Sequence, residues 1–168
     1  MTQAASIPGP QALYAHAIAI EREAAERYAE FAERMADLGN DATAEVFRRL
    51  AGFEAAHLKT LEARTDGVAL PSIAPGRYAW LDAGAPETAA RELVFRTLTA
   101  RGALEIALSA ELRAETFFAE IEATADDPAL RTLAAEMRGE EKDHVAMVRR
   151  ALAQSPSDRV DWAALLGK

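Results

Sequence analysis

Glu54-Ala55-Ala56-His57 and its echo Glu141-Lys142-Asp143-His144 decide the architecture of this chain. Each places a glutamate three residues before a histidine. On an α-helix, positions i and i+3 lie on one face a turn apart, so the carboxylate and the imidazole converge on one point. Two of the three histidines in the chain have this setting. The pair of motifs predicts two helices, each presenting a two-donor turn.

The residues around the motifs agree. Phe47, Leu50, Ala51, Glu54, His57, Leu58 and Leu61 share one helical face. Leu130, Leu133, Met137, Glu141, His144, Val145 and Val148 share another. Both are apolar stripes interrupted only at mid-length. Two further stripes are interrupted in the same way. Glu21 stands among Tyr14, Ala17, Ile18, Ala24, Ala25, Tyr28, Phe31 and Met35, and Glu111 among Leu104, Ala107, Leu108, Ala114, Phe118 and Ile121. The acids Glu23, Glu26, Glu30 and Glu33 fall off the first stripe. A carboxylate on a buried face needs a cation, a strong hydrogen-bond partner or a proton. The plainer alternative bends Glu21 to the rim and makes each histidine an ordinary core residue.

An internal repeat weighs against that alternative. With Glu21 laid on Glu111, Tyr28 falls on Phe118 and Phe31 on Ile121. With Glu54 laid on Glu141, Gly52 falls on Gly139, His57 on His144 and Leu61 on Val148. One helical hairpin is used twice. Two such hairpins about a pseudo-twofold axis make an all-α four-helix bundle with its site on the axis.

Boundaries follow from caps and breakers. Residues 1–9 read as a flexible arm, and residues 10–153 as the bundle. Pro10 suits the first helical position, and Gly39-Asn40 ends that helix near Leu38. Asp41 is expected to cap the second helix, which runs to about Arg64. Residues 65–86 carry Gly67, Pro71, Pro75, Gly76, Gly84 and Pro86 but also Tyr78, Trp80 and Leu81. They read as an ordered crossover with aromatic anchors. Returning along a helix of about 37 Å takes at least about 11 extended residues, which the crossover supplies. A short helix from Glu87 to about Leu98 follows, then a third long helix capped by Thr97 or Thr99 and ending near Ala125. Asp126-Asp127-Pro128 stops and restarts the chain, and the fourth helix runs to about Ala153. Residues 154–168 form a tail with Trp162, Leu165 and Leu166 on one side.

Composition bounds the chemistry. Half of the 168 residues are hydrophobic, and none is cysteine. Within this sequence, disulfides, thiolate metal sites, iron–sulfur clusters and thiol nucleophiles are excluded. The formal charge of −8 argues against nucleic acid and anionic membranes as partners. No apolar run approaches the roughly 20 residues of a membrane span. Met1 to Pro10 has no basic segment followed by an apolar one, so the expected location is the cytoplasm.

Four carboxylates and two imidazoles match the donor set of two divalent ions in a bundle core. Four negative charges balance two divalent cations, and the hard oxygen donors with one imidazole per ion suit iron or manganese. The chain here resembles the rubrerythrin-type branch of the ferritin-like superfamily. The resemblance rests on Ile20-Glu21-Arg22-Glu23-Ala24-Ala25-Glu26-Arg27-Tyr28, on both Glu-x-x-His turns and on Ala110-Glu111, and spans about residues 10–153. It implies a carboxylate-bridged centre of two Fe ions that reacts with H2O2 or O2. It also implies that Glu54 and Glu141 bridge, that Glu21 and Glu111 are terminal, and that His57 and His144 each hold one ion. Two departures stand out. Typical rubrerythrins carry a four-cysteine rubredoxin-like domain, so electrons here are expected from an external donor. They also carry an extra glutamate where this chain has Ala114.

Other residues have plainer roles. Glu115 reads as a rim salt bridge to Arg113 or Arg91, with a seventh carboxylate as the alternative. Glu140 competes with Glu141 for the partnership with His144, and the repeat register favours Glu141. His16 reads as a surface histidine. Tyr28 reads as packing, with a hydrogen bond to a ligand or a radical trap as alternatives. The functional expectation is Fe(II) oxidation by H2O2 or O2 in oxidative-stress or iron handling. The alternatives are a non-enzymatic iron-storage subunit, a dimanganese catalase-like site and a metal-free structural bundle. A homodimer or larger homo-oligomer is expected, and a storage shell would have to be a very large particle.

Overall fold

The computed structural model describes residues 7–73 and 99–155. Among them are four helices and no strand: α1 Pro10–Asp37, α2 Asp41–Arg64, α3 Ala100–Thr124 and α4 Pro128–Gln154. Each boundary has a local cause. Pro10 opens α1 at its first turn, where its missing N–H costs nothing. Gly39 takes the left-handed φ of 72° after α1. Its N–H donates to the Ala36 carbonyl at 2.9 Å, and that of Asn40 donates to the Met35 carbonyl at 2.8 Å. These bonds satisfy carbonyls that the helix end leaves open.

The cap of α2 differs from the sequence expectation. Asn40, not Asp41, is the N-cap, its side-chain oxygen accepting from the Thr43 N–H at 3.2 Å. Asp41 is the first helical residue, where its negative charge faces the positive end of the helix dipole. Thr99 caps α3 by accepting from the Gly102 N–H at 3.0 Å. Asp127 caps α4 by accepting from Ala129 at 2.8 Å, with Pro128 next.

α1 packs on α2 and α3 on α4, and the two hairpins then close on each other. Their core is two apolar clusters. One joins Leu13, Ala17 and Leu61 to Phe118, Ile121, Leu130 and Met137. The other joins Phe31, Met35, Phe47 and Leu50 to Ala103, Leu104 and Val148. The start of α1 therefore meets the end of α3, and the end of α1 meets the start of α3. So α1 and α4 run one way, and α2 and α3 the other. The chain leaves α2 at one end of the bundle and enters α3 at the opposite end, which makes the connection a full-length return. Each fully buried Phe or Leu contributes roughly 1.5–3 kcal/mol of transfer free energy.

Exposed ion pairs finish the surface. Arg22–Glu62 at 2.8 Å ties α1 to α2, and Arg64–Glu136 at 2.6 Å crosses between hairpins. Pairs this exposed are worth at most about 1 kcal/mol each. No described helix is long and apolar enough to cross a membrane. The short helix expected at 87–98, the anchors Tyr78 and Trp80, and the tail residues Trp162, Leu165 and Leu166 lie outside the described residues.

Candidate metal centre

Between the two apolar clusters lies a polar layer. Glu21 and Glu54 are each 1% exposed, and Glu111, Glu141 and His144 are also buried. His57 is half-buried at the edge. The positions follow from the stripes: each donor occupies the mid-length site of a face that is otherwise apolar, and bundle formation turns those faces inward.

The Nδ1 atoms of both imidazoles face carboxylates. His144 Nδ1 lies 3.0 Å from Glu54 Oε1, 3.5 Å from Glu111 Oε2 and 3.9 Å from Glu141 Oε2. His57 Nδ1 lies 3.7 Å from Glu21 Oε2 and 3.7 Å from Glu140 Oε2. The two rings stack at 5.4 Å with 15° between their planes. Three donor groups have ligand atoms within 4.8 Å of one another: Glu54 with His57 and His144, Glu21 with His57 and Glu140, and Glu111 with Glu141 and His144.

The layer is short of hydrogen-bond partners. Both oxygens of Glu21, both of Glu54, and Nδ1 of His57 and His144 are buried without a hydrogen bond. Groups of this kind pay a full desolvation cost with no return. In the metal-free chain, burial pushes the carboxyls of Glu54 and Glu141 well up, helped by neighbouring carboxylates. Glu111 goes the other way. Burial would raise it, but His144, Glu141 and the Tyr28 hydroxyl hold it below the usual range. His57 is raised chiefly by Glu21, against its own burial. His144 is raised because Glu111 and Glu141 outweigh its desolvation. Hard oxygens and imidazole nitrogens, converging and unpartnered, fit divalent cations.

Tyr28 donates its hydroxyl to Glu111 Oε1. Burial raises its pKa further, with Glu111 next, so it keeps its proton. Tyr28→Phe removes that donor and leaves a buried carboxylate oxygen with one bond fewer. The metal-free variant is expected to lose about 1–3 kcal/mol, read from urea unfolding. An unchanged midpoint would mean that the bond contributes nothing. Phe118, at the matching position of the other hairpin, shows that a phenyl fits this kind of environment.

A cavity of about 50 Å³ reaches the layer between α1 and α3, lined by Ala24, Tyr28, Glu54, Glu111, Ala114 and Glu141 among others. It holds a few water-sized molecules. Ala114 forms part of its wall, at the position where the resemblance leads one to look for another glutamate. Glu115 is half-buried and belongs to none of the donor groups among the described residues. His16 instead makes an Nδ1 contact of 2.8 Å to the Ala12 carbonyl of its own helix and packs on Phe117.

Glu140 was the residue whose part in the cluster was not legible. Glu141, which the repeat register favours, is the acid beside His144, and its rival Glu140 faces His57 across the hairpin interface. The adjacent acids Glu140 and Glu141 point about 100° apart on the helix, so one faces each half of the layer.

Antiparallel hairpins joined by a full-length crossover, with glutamate and histidine at mid-height, define a ferritin-like four-helix bundle carrying donor groups able to bind metal. The family profile described as Rubrerythrin matches residues 13–73, the whole of α2 and most of α1. A crystal structure of an uncharacterized conserved protein from Magnetospirillum magnetotacticum MS-1 is similar to the whole bundle. It is 33% identical, with a TM-score of 0.75, over 88% of this chain and 95% of that one. No curated protein matches. The chain belongs to the rubrerythrin family.

Proposed function

We propose that the chain is a di-iron carboxylate protein that oxidises Fe(II) with H2O2 or O2. The observation that carries this is the set of buried, unpartnered oxygens and imidazole nitrogens drawn from both hairpins. Glu21, Glu54, His57, Glu111, Glu141 and His144 would hold two ions. Iron held there supplies one-electron redox chemistry toward a bound oxidant. For peroxide the balance is two electrons from two Fe(II), two protons taken up, and two waters released.

The residues of the chain supply the rest. The apolar clusters close the layer above and below. The cavity beside Ala114 admits molecules of the size of O2 or H2O2. Tyr28 fixes Glu111 Oε1 with its retained proton. With no cysteine in this sequence, reducing electrons would come from an external donor.

The test is metal content followed by oxidation. Anaerobic Fe(II) loading and desalting should leave about two irons per chain, as the donor set requires. Addition of H2O2 should then raise the near-ultraviolet absorbance. Absence of bound iron after such loading would sink the proposal.

A further inference from the structure

The two halves of the donor layer are not alike, and the difference falls on residues that the internal repeat pairs. Laying Glu54 on Glu141 places Phe53 on Glu140. The contacts obey the same pairing. The Phe53 ring lies 6.1 Å from the ring of His144, and Glu140 Oε2 lies 3.7 Å from His57 Nδ1. One imidazole is flanked by a phenyl, the other by a carboxylate. A second pair differs in the same sense. Tyr28 donates to Glu111, while its repeat mate Phe118 has no hydroxyl to offer Glu21. Glu21, 1% exposed, keeps both oxygens unpartnered and aimed into the group it forms with His57 and Glu140.

Access to solvent splits the same way. The side chains of Glu111 and Glu141 are 3% exposed and that of His144 4%, against 22% for His57 and 31% for Glu140. One half is covered on its His144 side by Phe53 and pinned by Tyr28, and its acids Glu111 and Glu141 border the narrow cavity between α1 and α3. The other opens to water past Glu140.

We propose that Glu140 is a metal ligand of the open half, and that this half is the weaker, exchanging subsite for a divalent cation. The inference rests on the metal-binding reading of the layer given above. Glu140 adds a hard oxygen and a negative charge to Glu21 and His57, beside Glu54, which also lies within reach of His57. Its partial exposure lets it meet a hydrated ion and hand it inward. The covered half has no such route on its His144 side and holds its ion longer.

Titration of the metal-free full-length chain with Co(II), followed by calorimetry and visible absorbance, tests this. The wild type should bind two equivalents of unequal affinity. Glu140→Gln keeps the shape and removes the charge. It should weaken the looser equivalent about 10–100-fold, the range seen when a group supporting a metal is lost, and leave the tighter one unchanged. Glu111→Gln should do the reverse. The thermal unfolding of each metal-free variant, followed by circular dichroism, checks that it is folded. If Glu140→Gln titrates like the wild type, or weakens both equivalents equally, the assignment of Glu140 fails while the metal centre stands. If the wild type takes up no Co(II), this inference and the proposed function fall together.

Discussion

Glu54→Ala is expected to abolish Fe(II) oxidation, lowering the rate at least about 100-fold, since groups that merely support a ligand already cost 10–100-fold. Glu54 belongs to the donor group that takes imidazoles from both hairpins. Its Oε1 is 3.0 Å from His144, and neither oxygen has a hydrogen bond. No neighbour can replace it, because Glu21 and Glu111 serve opposite halves. His144→Ala should be equally severe. The isosteric variant Glu54→Gln carries a second expectation that a scaffold residue would not meet. Removing a buried, unpartnered carboxylate relieves repulsion among Glu21, Glu54 and Glu111. The metal-free Glu54→Gln protein should therefore be at least as stable as the metal-free wild type. Stopped-flow oxidation of Glu54→Ala and urea unfolding of metal-free Glu54→Gln separate the outcomes. Oxidation at the wild-type rate would overturn the site, and a large loss of metal-free stability would make Glu54 a structural residue.

Metal removal should leave a protein whose stability falls as pH rises between about pH 5 and pH 8. Glu54 and Glu141 are held well above their ordinary 4.5 by burial first and by like charges second. The folded chain then binds protons that the unfolded chain has already released, so raising the pH penalises folding. His57 and His144 lie above their ordinary 6.5. Their contribution is complete below 6.5 and is lost as pH rises through the higher folded values, which is the same direction. Within the layer Glu111 runs opposite, and its contribution is lost only on acidification below 4.5. Loading with metal should invert the trend, because ligands bind metal in their deprotonated forms. At a free-ion concentration of 100 times Kd, each occupied site should add about 2.7 kcal/mol. Anaerobic denaturation curves with and without Fe(II) across that range provide the check. A pH-independent metal-free protein would mean that the buried carboxylates are compensated by other groups.

The fold and the six side chains that meet at mid-height were legible because each signal was local. An acid in an apolar stripe is visible on one helix, and the repeat confirms the register without any knowledge of how helices pair. Glu140 failed that test. It lies off the buried stripe and looks like a surface acid, and its partner His57 belongs to the other hairpin. Only the packing of hairpin on hairpin shows that the two meet. Tyr28 was ambiguous for a different reason: an aromatic ring satisfies the core whether or not its hydroxyl finds a partner. The exchange of Asn40 for Asp41 as the cap is a one-residue matter between two good capping side chains, settled by which oxygen reaches Thr43.

The division of the core into two apolar clusters has a consequence for how this chain could diverge from its own duplicate. The molecule is two oil drops tied at a polar waist. A drop asks only that its total volume be filled, and its repeat mates have drifted freely: Phe47 answers to Ala134, Leu50 to Met137, Phe31 to Ile121. The waist asks for particular atoms at particular points, and there Glu21, Glu54 and His57 answer to Glu111, Glu141 and His144 without change. The repeat is kept at the waist and lost in the drops. Where the waist itself has broken symmetry, at Phe53 against Glu140 and Tyr28 against Phe118, the change has given one half of a doubled structure work that the other half does not share.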